Sequence, residues 1–576
     1  MTGDMISNED ATSGLTILPD QPRRRRGTKA TALTAAALLV GTAGVATALF
    51  RSTASDRDPS TLIPANAFAV AAADLSLPGG QAGGLETLLG RFPGLHLTGD
   101  GSIRDRILRT MLHSAQPNLD YDEDVKPWLG DHVAIAGWTD KGKPEMEVLL
   151  QSTDDGSARQ HLTKLLNGNG NVVIQDGYAV IGKDQQAVQD ALAAAGQSSL
   201  HDSGPYDGDI GALPDNQAMT AWINGPGAKA ALDTALPGGL TPAIGISPFG
   251  LLGSGQSDIF KGRVALGVRV TDTLAELDAR SVGSSSTTTA PATMLTTLPS
   301  GTVGAIELAD PGAVVDGVGS LVKVFGSFSS VVTSCSGYAT SVPARAAVPA
   351  LAPKALRQQL ELSVPKNLPH RQAVIRGLLR NERKAAARGG NGDVFSGTQS
   401  GCMPEPAPQP TDPMDQIQKV LGISFPDDVK TLLGQRAVVA FGGMELAGLP
   451  DVAIRTHPSD LSAAQSIANT LSSKVSSSTP LHIDVSTAGD DLVLATSSSY
   501  GQEIAKGGDF GSQSQFKTAL GDMPGAVDAA GYVDLSRIWP LVGDSVPAGL
   551  RHVHAVGFWA ATDSGVQTGQ LRVVFG

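Results

Sequence analysis

Aromatic side chains are scarce: Phe, Trp and Tyr make up 4% of the 576 residues, although 41% are hydrophobic overall. Ala, Gly, Ser and Thr fill much of the remainder, so whatever cores form are built largely from small side chains. Positive charge is also in deficit, with a formal net charge of -13, which argues against a nucleic-acid-binding surface covering the chain. Catalytic signatures are missing. There is no G-x-S-x-G elbow, no H-E-x-x-H helix, no Walker A loop and no G-x-G-x-x-G between a strand and a helix. The run "LLGSGQSDIF" from Leu251 has glycines but no lysine and no preceding strand, and reads as a Gly-rich turn. His552 and His554 in "RHVHAV" would share one strand face, but two ligands without a third read as half-exposed strand histidines. Trp128, Trp138 and Trp222 read as core residues of the first module. No catalytic residue, cofactor or metal ion is expected from these patterns.

What is present begins at the N-terminus. No charge occurs from Ala30 to Phe50, a stretch that as a helix spans roughly 31 Å, enough to cross a bilayer core. Arg23 to Arg26 and Lys29 precede it, while Arg51 and Arg57 behind it are diluted by Asp56 and Asp58. The positive-inside rule then predicts a cytoplasmic tail over 1–29, a transmembrane helix over 30–50 and an extracytoplasmic remainder after a linker over 51–61. A cleaved signal peptide is the alternative, with "ATA" at Ala46 to Ala48 as its site, but an apolar core of about 7 to 15 residues would be usual there. Residues 1–22 lack periodicity and read as disordered.

The remainder repeats. "DVKPWLGDHVAIAGW" from Asp124 matches "DVKTLLGQRAVVAFG" from Asp428, and the same offset carries "EVLL" at Glu147 onto "DVAI" at Asp451. A helical stretch follows in each half, "SARQHLTKLL" and "SAAQSIANTL", then a strand pair, "NVVIQDGYAVIGK" and "HIDVSTAGDDLVLAT". Further on, "LPDNQAMTAWIN" from Leu213 parallels "MPGAVDAAGYVD" from Met523, and "RVALGVRV" from Arg263 parallels the C-terminal "GQLRVVFG". The reading is a duplicated α+β module, first copy 62–282, Ser/Thr-rich linker 283–297, second copy 298–576. Each copy is expected to form an antiparallel sheet with packed helices, because the strands come as short adjacent runs.

The repeat also settles a candidate metal site. Asp120, Asp122 and Asp124 alternate as calcium ligands might be spaced, but an EF-hand loop would want Gly and Glu where Val125 and Asp131 stand, and Lys126 puts a cation inside it. The second copy keeps only Asp427 and Asp428 there. The motif reads instead as a short helix with acids at its positive end, stopped by Gly130 or Gly434, leading into an apolar strand.

"LIPANAFAVAAADLS" from Leu62, "LLGRFPGL" near Phe92 and "DYDEDVKPWLGDHVAIA" resemble an actinobacterial family of single-pass membrane proteins defined by a domain of unknown function. The resemblance covers roughly Leu62 to the C-terminus. It implies a cytoplasmic tail, one span and a large extracytoplasmic region, and it transfers no catalytic residue.

The second copy carries an insertion at 336–401. Between Ala344 and Arg388 ten Lys/Arg face only Glu361 and Glu382, a net of +8 in an acidic chain. Val374, Ile375, Leu378 and Leu379 take helical spacing with Arg371, Arg376, Arg380, Arg383, Lys384 and Arg388 around them, the outline of an amphipathic basic helix. It reads either as a solvated arm neutralised by its own acidic protein or as a surface for anionic lipid headgroups or wall polymer. Cys335 and Cys402, the only cysteines, bracket the insertion. In an exported protein they are expected to form a disulfide at its base. The leading expectation is therefore a non-enzymatic binding or scaffolding protein of the cell envelope, contacting membrane lipid through 30–50. The alternative is an extracytoplasmic hydrolase whose site no motif reveals.

Overall fold

The computed structural model describes residues 58–315 and 422–576, apart from 93–96, 98–99, 116–118, 167–170, 236–260, 284–288, 313–314, 445–449, 479–481 and 543–545. The expected span at 30–50, the Gly-rich run at Leu251, the basic insertion with its arginines, and both Cys335 and Cys402 lie outside the described residues. Among the described residues no helix is long and apolar enough to cross a membrane.

The first half contributes β1 (Ala69–Asp74), β2 (Leu129–Asp140), β3 (Lys143–Ser152), β4 (Asn171–Gln175), β5 (Tyr178–Gly182), β6 (Met219–Asn224), β7 (Arg263–Val270) and β8 (Leu274–Val282). The second contributes β9 (Gly304–Leu308), β10 (Arg436–Met444), β11 (Pro450–His457), β12 (Asp484–Ala488), β13 (Asp491–Ala495), β14 (Ala529–Asp534), β15 (Val553–Asp563) and β16 (Val566–Phe575). Tight turns set the hairpins: Lys141 and Gly142 take φ of +46° and +81°, and Asp176 and Gly177 take +53° and +77°, the mirror-image turn whose twist matches paired strands.

The strands do not form two separate sheets, as the sequence reading expects. Among the described residues they form one 16-stranded sheet, ordered β4-β5-β3-β2-β1-β6-β7-β8 in the first half and β12-β13-β11-β10-β9-β14-β15-β16 in the second, joined by β8 against β16. The two orders are the same when each half is numbered from its own first strand.

Register agrees as well. The sequence parallels equate Met219 with Ala529. Met219 pairs with Ala73 and Ala529 with Leu308, and these pair in turn with Val133 and Ala437. Val133 and Ala437 stand at the spacing already set by Asp124 and Asp428. The constant spacing ends at the next hairpin: Glu147 lies opposite Ala136, but Ala440 lies opposite Ala453, so the counterpart of Glu147 is Ala453 rather than Asp451. A longer connection between β10 and β11 shifts it. Ring pairs recur too, Tyr206 on Trp222 at 5.6 Å and Phe516 on Tyr532 at 5.2 Å between centroids.

Alternation along the strands feeds both faces of the sheet. Val133 faces a core holding Ile107, Leu108, Leu112 and Leu162 from the helices Ile103–Ala115 and Asp155–Leu166. Ala134, Ala136 and Trp138 face the other side, with Val188, Leu192, Tyr206 and Ile210 from the helices Gln185–Gln197 and Gly204–Gly211. Each of the Val, Leu and Ile side chains among them contributes about 1.5–3 kcal/mol when fully buried. Trp128, Trp138 and Trp222 are all core residues, at 1%, 3% and 2% exposure. The stretch read as linker ends inside the fold: Ala290 bridges Val527, and Met294 and Leu295 are buried in the second core.

The shared motif takes different local forms. Asp124 Oδ2 accepts from the Asp120 N–H at 3.2 Å, and Asp428 Oδ2 from the Ser424 N–H at 2.6 Å, the same ring in both halves. It closes a π-type turn at Tyr121–Val125 in the first half and opens the helix Asp427–Leu433 in the second. Gly434 stops that helix with φ +64°. Gly130 lies within β2 instead, where a Cβ would meet Gln151 Oε1 at 2.6 Å.

Candidate functional site: an apolar groove on the second half

β9 reads "GAIEL" and β14 "AAGYVD". On the face carrying Ile306, Gly304 and Gly531 have no side chains, and the sheet surface dips. The Phe558 ring lies across Gly531, where a Cβ would come within 2.4 Å of it. Ile306 and Phe441 flank the dip at 41% and 42% exposure, and Ile538 reaches in from the helix Leu535–Val542. The result is a groove of about 390 Å³, within the range of small-ligand sites. Among the described residues no acid, base or thiol lines it. Only the main chain of Tyr532 borders it: the residue pairs with Ala305, and its ring turns to the opposite face against Phe510 and Phe516, at 5.5 and 5.2 Å between centroids.

The corresponding surface of the first half is built differently. Gly137, the counterpart of Phe441, lies beneath the Phe68 ring, whose Cε2 would stand 2.7 Å from an added Cβ, and Ala71 is the counterpart of Ile306. Sequence reasoning missed this groove. The available signal was "RAVVAFG", an unbroken apolar run that puts large side chains on both faces of one strand.

Polar groups concentrate on the opposite face, where the halves join. Asp278 accepts from Gln570 and Gln217, each at 3.0 Å, and Glu276 pairs with Arg269 and Arg572. Asp209 holds Arg263 at 2.7 Å. Acids and guanidinium groups alternate there with no nucleophile among them, so this band works as an ion-paired seam.

Two histidines have catalytic-looking neighbours. Ser476 Oγ lies 3.3 Å from His482 Nδ1, and His482 Nε2 lies 3.2 Å from Asp484 Oδ1. The His482 side chain is 68% exposed and stands beside the edge strand β12, where water competes for every partner. Asp484 also accepts from Ser498. His457 Nδ1 lies 2.7 Å from Asp491, which also takes Arg455; this cluster ties β11 to β13.

The acids considered for metal binding are engaged locally. Asp120 accepts from the N–H groups of Asp122 and Glu123, Asp122 takes both arms of Arg109 at 2.9 Å, and Asp124 takes Lys164 at 3.2 Å. Burial pushes the Asp124 pKa up, and the hydrogen bonds from Lys164 and the Asp120 N–H outweigh it, leaving the pKa below the usual carboxylate range. His552 and His554 do not share a strand: His552 ends the turn Ala548–His552, and only His554 lies in β15.

No family model and no curated protein matches the chain. Two crystal forms of TP0453 are similar over part of it. Form III gives a TM-score of 0.21 at 9% identity, covering 40% of this chain and 82% of that one; form I gives 0.20 at 10%, covering 41% and 82%. At those scores the likeness carries no argument about function.

Proposed function

We propose that the chain is a membrane-tethered extracytoplasmic protein, made of two copies of one α+β module, that acts by binding rather than by catalysis. The groove between Ile306 and Phe441 carries this reading, because it is a preformed concave surface with apolar walls and no group able to transfer a proton or attack a carbonyl. The matching strand orders and registers support the duplication. The uncharged stretch 30–50 behind four arginines supports the tether. The basic insertion, net +8, is the surface proposed for anionic headgroups or wall polymer.

The groove is tested with a dansylated fatty acid, whose emission rises in apolar surroundings. Phe441→Asp places a charge in the groove wall and is expected to weaken binding at least tenfold, about 1.4 kcal/mol. Leu550→Asp, an exposed apolar position elsewhere at 46% exposure, is the control and retains binding. Equal affinities for the wild type and Phe441→Asp would remove the groove from the account.

A further inference from the structure

We infer that the groove holds one acyl chain of a membrane lipid, an assignment that rests on the tether reading above. Charge selects against other occupants first. The lining is uncharged, and the nearby Arg537 donates to the carbonyl oxygens of Gly301 and Thr302 at 2.9 and 3.0 Å. A charged ligand would therefore lose hydration inside the groove without gaining a partner.

The main chain selects against a peptide. β9, β10, β14 and β15 each have a strand on both sides, so their N–H and C=O groups are engaged within the sheet. A peptide laid in the groove would bury its own backbone groups without partners there, at a cost of about 1–3 kcal/mol for each. A hydrocarbon chain has no such groups. A second copy of the protein is a poor fit because, among the described residues, Ile306 and Phe441 are the large exposed apolar side chains of this surface, far short of the about 800 Å² per partner that a stable interface needs.

The length of chain ahead of the fold supplies the source. Phe50 closes the expected span and Asp58 opens the described structure, so at most about 3.6 Å per residue over eight residues, roughly 29 Å, separates the module's first residue from the bilayer. β9 stands seven strand spacings from β1, about 34 Å at about 4.8 Å each, so the groove meets the bilayer when the tethered sheet lies along it, and acyl chains are the apolar material concentrated there.

The experiment uses the full chain in nanodiscs doped with a phospholipid carrying a diazirine on its acyl chain. After irradiation and digestion, adducts are expected on peptides containing Ile306 or Phe441 as well as within 30–50. Phe441→Asp and, independently, Ile306→Asp should reduce the groove adducts at least tenfold and leave those at 30–50 unchanged. Adducts confined to 30–50 would overturn the acyl-chain assignment while the tether stands. A chain that does not enter the nanodiscs would overturn the tether and the assignment together. Groove labelling by a diazirine fatty acid but not by the phospholipid would overturn the membrane lipid as the source.

Discussion

Replacing Glu147 with glutamine tests how the core handles a carboxyl group with nothing to bond. Glu147 sits in β3 between Ala136 and Gly182, is 1% exposed, and neither of its oxygens has a hydrogen-bond partner among the described residues. Burial alone raises its pKa from 4.5 to about 8. The unfolded chain releases this proton near pH 4.5, whereas the folded chain keeps it to about pH 8. Between those values the native state binds one proton more than the unfolded state, so stability falls as pH rises, by about 1.4 kcal/mol per pH unit. The full loss is on the order of 5 kcal/mol, and the slope vanishes above pH 8, where both states are ionised. Glutamine keeps the shape and the polarity but removes the proton. Urea unfolding followed by tryptophan fluorescence from pH 5 to 8 should give nearly equal stabilities at pH 5 and a Glu147→Gln variant more stable by about 4 kcal/mol at pH 7.5. Glu307, also buried and raised to about 7, tilts both proteins alike, so the difference between them isolates Glu147. Parallel pH profiles would refute the reasoning.

Gly434→Ala should destabilise by about 3 kcal/mol or more in thermal unfolding, because the new Cβ would meet the His457 carbonyl oxygen at 2.3 Å at a φ of +64°; Gly142→Ala, at φ +81° with open space around it, should cost about 1 kcal/mol, and equal losses would contradict the packing argument. Protein recovered from the cell surface and digested without reduction should show Cys335 and Cys402 in one linked peptide pair, worth on the order of 4 kcal/mol by the loop-closure model, whereas two alkylatable thiols would remove the bond.

The matching strand orders of the two halves were legible because "DVKPWLG" and "DVKTLLG" both sit at a corner where an acid closes a turn onto a main-chain N–H four residues back. The correspondence slipped at Glu147 because hairpin length is free to vary on the surface, and a longer β10–β11 connection moves every later residue. Trp128, Trp138 and Trp222 were legible as core because large aromatic rings in a small-residue chain have few other places to go. The join of β8 to β16 was not legible: edge pairing is made by backbone groups that every residue carries, so "LAELDARSV" and "VQTGQLRVVF" do not announce each other. Their alternating Glu276, Asp278 and Arg572 mark one face as polar, which is the trace the seam leaves in sequence. The groove was hidden because it depends on Gly304 and Gly531 lying side by side with Ile306 across two strands distant in the chain.

The claim on which the rest depends is that the folded modules lie outside the membrane and are tethered to it. Protease added to intact protoplasts, with antibodies against each end of the chain, measures this directly. The account predicts loss of the C-terminal epitope beyond Phe50 while residues 1–29 remain protected; a C-terminus that survives until the protoplasts are lysed would contradict it.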